Sequence, residues 1–232
     1  MITKTVRRLA MRSACVGAAV AMVGGLAVAS TVAGAASNGP GASGWHIGYY
    51  NSSGRALSLA QAAPGGGVAS LNFTNQPNTA LLIADQGSDK AIVGNQAGGT
   101  ITATFTVSDA TGAFTYYGGP SSGGQANVRL FFETGGGPFA YTNYWWSDVA
   151  FTPLGNGTYT LTAQIDPAAQ WSDWNGQPSA TNIAAFDAAA SDITGIGLSF
   201  GGGAGFENGV GTTNGSGSLT LNSFTVGSTT GS

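Results

Sequence analysis

The sequence predicts an all-β domain, a two-sheet antiparallel β-sandwich of the jelly-roll kind with one short helix. Three observations predict it. Apolar and polar residues alternate with period two in run after run. Glycine-rich turns separate the runs, and helical periodicity is confined to a single stretch.

Residues 1–35 read as a cleavable export signal. Lys4, Arg7, Arg8 and Arg12 form a basic start, an apolar stretch runs from Val16 to about Val32, and Ala33-Gly34-Ala35 is the small-x-small pattern that signal peptidase accepts. Cleavage is expected after Ala35. Gly24, Gly25 and Ser30 interrupt the apolar run and no basic cluster follows it, which argues against a membrane anchor. Arg7-Arg8 is followed by Leu9-Ala10, which favours the general secretory route over the twin-arginine one. Cys15 is the only cysteine, and Arg12 three residues before it is no lipoprotein signal. The mature chain therefore has no disulfide, thiolate zinc site or cysteine nucleophile.

Residues 36–44 are expected to be a flexible leader, 45–226 the sandwich and 227–232 a flexible tail. Ile101, Ala103, Phe105 and Val107 alternate with Thr100, Thr102, Thr104 and Thr106, the pattern of a half-buried strand. Tyr159, Leu161, Ala163 and Ile165 repeat it against Thr158, Thr160, Thr162 and Gln164. Val128, Leu130 and Phe132 do so with Arg129 and Glu133 opposite, and Ile196, Leu198 and Phe200 follow. Threonine suits the outward positions because its branched side chain fits a pleated surface and stays wettable. Asn156-Gly157, between Phe151 and Tyr159, reads as a tight hairpin turn. Ile183, Phe186 and Ala190 share one face of a helix expected over 181–191, with Thr181 as its cap. In the last strand Leu219 and Leu221 are on one parity, Phe224 and Val226 on the other. One face stays buried only if a bulge intervenes near Asn222-Ser223.

Charge narrows the functions. Four of the seven basic residues leave with the signal. Arg55, Lys90 and Arg129 then face ten carboxylates, a net charge of −7. Such a surface repels nucleic acid and anionic membranes, so neither is an expected partner, and no membrane insertion is expected after cleavage.

The segment from Tyr141 to Trp174 holds four of the five tryptophans. Trp145 and Trp146 point to opposite faces if they lie on a strand, so the core takes one and the other needs a cover or a ligand. Trp-Ser-Asp occurs twice, at 146–148 and 171–173, setting an aromatic ring beside a carboxylate each time. Flat indoles stack on sugar rings, and carboxylates accept hydrogen bonds from hydroxyls. Tyr144, Trp145, Trp146, Asp148, Trp171, Asp173 and Trp174 are thus the candidate ligand-binding residues. The competing expectation is that the indoles fill the core and each Ser-Asp caps a turn.

Catalytic and metal chemistry has fewer candidates. His46, the only histidine, has no Gly-x-Ser-x-Gly elbow to serve, and one histidine with no cysteine cannot build the usual zinc set. Glu133 and Glu207 are the only glutamates, each after a phenylalanine and beside a glycine-rich turn. As a pair they are the candidate catalytic residues of a glycoside hydrolase. Asp85 and Asp89, in ADQGSDK, could offer hard oxygen ligands to a structural calcium, without the EF-hand spacing.

From Asn127 to Val226 the chain resembles the C-terminal half of galactose-binding-like jelly rolls of bacterial carbohydrate-binding modules. Tyr159-Thr160-Leu161 leading to Trp171, the run Ile196-Gly197-Leu198-Ser199-Phe200-Gly201, and the closing strand from Ser218 to Val226 carry the resemblance. It implies a β-sandwich and binding of a polysaccharide or cell-surface glycan. Such modules are generally joined to a catalytic domain, and these 232 residues carry none. In composition the chain is also similar to small secreted xylanases, which use a glutamate pair on a jelly roll. Three functions follow in order: a secreted non-catalytic saccharide-binding module, a structural or adhesive extracellular protein, and a small glycoside hydrolase. Co-facing exposed aromatics would favour the first, burial of every tryptophan the second, and facing glutamates across an open groove the third.

Overall fold

The computed structural model describes residues 37–38, 42–51, 54–76, 78–85, 91–109, 112–117, 124–135, 138–202 and 207–227. The proposed signal and cleavage site lie outside them. The domain is a two-sheet antiparallel sandwich with one α-helix. In the smaller sheet β1 (Ser37–Asn38) and β4 (Ala69–Asn72) both pair with β14 (Ser218–Gly227). Next come β6 (Thr100–Ser108) and β10 (Gly157–Gln164). The larger sheet runs β11 (Trp171–Asp173), β9 (Tyr144–Pro153), β8 (Asn127–Thr134), β12 (Ile193–Gly201) and β5 (Thr79–Asp85). Beyond β5 lie β13 (Val210–Thr212) and β7 (Phe114–Tyr116), and separately a hairpin of β2 (Trp45–Asn51) and β3 (Gly54–Leu59).

The expected alternation builds the core between the sheets. Ile101, Ala103, Phe105 and Val107 are buried against Val128, Leu130, Phe132, Ile196, Leu198 and Phe200. On the opposite side of β6, Thr102, Thr104 and Thr106 pair their hydroxyls with Thr162, Thr160 and Thr158 of β10 at 2.9–3.3 Å. The parity switch in β14 is a bulge: its register against β6 shifts between Leu221 and Ser223, and Leu219, Leu221, Phe224 and Val226 are all buried.

Three expectations are corrected. Asn156-Gly157 joins no hairpin, because β9 pairs with β8 in one sheet and β10 with β6 in the other. Leu154 is buried at the crossing, and the Asn156 amide bonds both the N–H and the C=O of Asp109 instead. The leader is not wholly free, since Ser37 and Asn38 pair with Val226 and Thr225. The helix, α1, runs Ile183–Ala190 and buries Phe186, Ala189 and Ala190, whereas Ile183 is half exposed. Thr181 ends a preceding 3-10 turn, where its hydroxyl bonds Pro178 rather than capping α1.

Candidate functional site

The larger sheet buries apolar residues on both of its faces. Its inner face meets the smaller sheet. Its outer face carries a second apolar cluster of Ala80, Leu81, Ile83, Phe131 and Trp146, with Tyr144 packed against it. Strand alternation therefore sends Trp145 and Trp146 to opposite sides, as expected, but both sides are closed. Trp145 lies edge-on to Phe186 at 5.0 Å and donates to the Thr142 carbonyl at 2.8 Å. Trp146 stands against Phe131 at 5.0 Å and donates to the Ser199 hydroxyl at 2.9 Å. Trp171 fills the space beside Phe132 and donates to the Gln164 carbonyl at 2.7 Å.

The two Trp-Ser-Asp repeats lie side by side, with Trp171 opposite Ser147, Ser172 opposite Trp146 and Asp173 opposite Trp145. Their carboxylates have structural work. Buried Asp173 accepts the backbone N–H groups of Asn175 and Gln177 at 2.9 Å each, the turn-capping role. Asp148 accepts from the Ser172 hydroxyl and faces Arg129 at 3.5 Å. Arg129 in turn lies 4.9 Å over the ring of Phe151, and burial lowers its pKa against the opposing pull of Asp148. Of the candidate ligand-binding set, Trp145, Trp146, Trp171 and Asp173 are thus packed or occupied. Tyr144, Asp148 and Trp174 keep exposure.

Trp174 does not stand alone. The segment before β9 brings Phe139 and Tyr141 to the turn after β11, joined by the backbone bond from Trp174 N–H to the Tyr141 carbonyl. Phe139, Tyr141 and Trp174 are 60, 48 and 38 % exposed. Phe139 meets Tyr141 at 5.4 Å, Tyr144 at 5.7 Å and Trp174 at 5.7 Å, and Tyr144 meets Trp174 at 5.3 Å. Exposed Asn175 and Gln177 flank the patch with amides. Neither Phe139 nor Tyr141 is among the ligand-binding residues expected from the sequence. The Gly-Gly-Gly-Pro before Phe139 marks a turn, and only the fold shows that this turn meets Trp174.

Glu133 and Glu207 do come together, on Arg55. The Arg55 guanidinium donates two 2.7 Å bonds to Glu133, from Nη1 to Oε2 and from Nη2 to Oε1. Its Nη1 also lies 3.6 Å from Glu207 Oε1. Both carboxyl groups are nearly buried. Burial, and then the Glu133 carboxylate, raise the pKa of the neighbouring Tyr144 phenol above its ordinary value.

Asp89 lies outside the described residues, as does the side chain of Asp85, so the calcium expectation falls there. Among the described residues no group of three or more His, Cys, Asp and Glu side chains is gathered as a metal site. Compared with known proteins, the chain matches no family model, no curated protein and no solved structure.

Proposed function

We propose that this is an exported, non-catalytic binding module for a neutral polysaccharide or cell-surface glycan. The observation that carries the reading is the exposed patch of Phe139, Tyr141, Tyr144 and Trp174. Aromatic rings held edge to face, partly in water and rimmed by amides, are costly to leave uncovered and suit the apolar face of a sugar ring. A net charge of −7 on the mature chain turns the reading away from polyanionic glycans. Depletion of the domain from solution by insoluble neutral polysaccharides tests it. Retention should persist at high salt, since stacking is not screened as ion pairs are; loss of retention on adding salt would assign binding to charge. Export is tested by mass spectrometry of culture supernatant, with a terminus at Ala36 expected and an intact Met1 terminus in membranes refuting it.

The glutamate pair favours a second reading, a glycoside hydrolase, but Arg55 counts against it. Hydrolysis needs a protonated carboxyl aimed at the glycosidic oxygen and a second carboxyl across the bond. Here both Glu133 oxygens accept from Arg55, and the guanidinium fills the space between the carboxyl groups. The domain is expected to release no reducing ends from neutral polysaccharides. Release that vanishes in both Glu133→Gln and Glu207→Gln would establish the enzyme instead.

A further inference from the structure

Asparagine followed by glycine is a chemically labile pair, because the glycine nitrogen can reach the asparagine side chain with no Cβ in the way. The chain has five such pairs, and four lie wholly among the described residues: 156–157, 175–176, 208–209 and 214–215. In three of these the fold ties down the side-chain amide. Asn156 Nδ2 donates to the Asp109 carbonyl at 2.8 Å, and its Oδ1 accepts from the Asp109 N–H. Asn208 holds Gly202 in the same two-ended way, donating to its carbonyl at 3.3 Å and accepting from its N–H at 3.0 Å. Asn214 donates to Asp109 Oδ1 at 2.8 Å and accepts from the Ser216 N–H at 3.0 Å.

Asn175-Gly176 is built differently. Its turn is held through the backbone: the Asn175 and Gln177 N–H groups bond Asp173 Oδ1, and the Gly176 N–H bonds the Asp173 carbonyl. Both residues are exposed, and among the described residues the Asn175 side chain takes no hydrogen bond. Gly176 has a φ of +73°, and a Cβ there would meet nothing within 4 Å, so its surroundings are open. Gly209 and Gly215 carry comparable backbone bonds, to Phe200 and Thr212, so the unheld side chain is what sets Asn175 apart.

We propose that Asn175 is the site of spontaneous deamidation in the folded protein. The Gly176 nitrogen loses its proton and attacks Asn175 Cγ. The new N–Cγ bond closes a five-membered succinimide, and Nδ2 takes up a proton and leaves as ammonia. Water then opens the ring at either carbonyl, giving aspartate or isoaspartate at 175. Either product sets a carboxylate one residue from Trp174, where an amide now rims the aromatic patch, and isoaspartate also lengthens the turn by one backbone carbon. The site follows from how the amides are bonded and does not depend on what the patch binds.

Ageing the purified protein in mildly alkaline buffer, followed by tandem mass spectrometry of its peptides, tests the proposal. Residue 175 should gain about 1 Da, as an amide becomes an acid, before residues 156, 208 and 214 do. Chromatography should divide the product into aspartate and isoaspartate forms. The gain should slow in mildly acidic buffer, where the Gly176 nitrogen keeps its proton. It should vanish in Asn175→Gln, whose longer side chain closes the ring far less readily. In urea the four sites should convert together, because no fold holds any of the amides. Earlier conversion at 156, 208 or 214, or no gain at 175, overturns the proposal. Aspartate as the sole product overturns the succinimide route. The same order of conversion in urea as in buffer overturns the selection by the fold.

Discussion

Trp145→Ala is expected to lower folding stability by about 3–5 kcal/mol, the range for deleting a large aromatic from a packed core. The indole is fully buried between the sheets, wedged against Phe186, and its N–H is matched to the Thr142 carbonyl. Alanine would leave a cavity that α1 and β9 cannot both close, and would strand that carbonyl. Urea titration should show the midpoint falling with little change in slope. A loss under about 1 kcal/mol would mean that Trp145 does not pack as described.

Trp174→Ala should behave in the opposite way. The ring is 38 % exposed and stands at the rim of the sandwich, so its removal should shift the melting temperature little. Glycan binding should weaken by about 1–3 kcal/mol, the scale of an aromatic anchor in a binding surface. Melting curves and binding isotherms on the same sample separate the two effects. Early melting together with unchanged binding would make Trp174 a core residue and remove it from the site.

The fold was legible because local pattern and burial agree. Threonine alternation in β6 and β10 and the parity break in β14 each specify one buried face, and the bulge at Asn222 follows from that alone. What could not be read was which strands share a sheet. Asn156-Gly157 has the chemistry of a hairpin, yet the chain uses it to cross between sheets, where Asn156 bonds Asp109.

The site was legible in part for the same reason. Period-two alternation correctly sent Trp145 and Trp146 to opposite faces. It carries no information about what lies over the outer face, and so could not show Trp146 covered. Glu133 and Glu207 were singled out by scarcity, but Arg55, 78 residues from Glu133 along the chain, was invisible as their partner. Phe139 was hidden likewise, because only the meeting of two turns makes it part of a patch.

Isothermal titration of the folded domain with an oligosaccharide from a retained neutral polysaccharide tests the central claim most directly. The comparison is wild type against Phe139→Ala/Trp174→Ala, with far-UV circular dichroism confirming that both are folded. Saturable binding by the wild type that the double variant loses is the predicted result. Equal binding by the two proteins, or none by the wild type to any neutral glycan, would contradict the assignment of the exposed aromatic patch as a saccharide site.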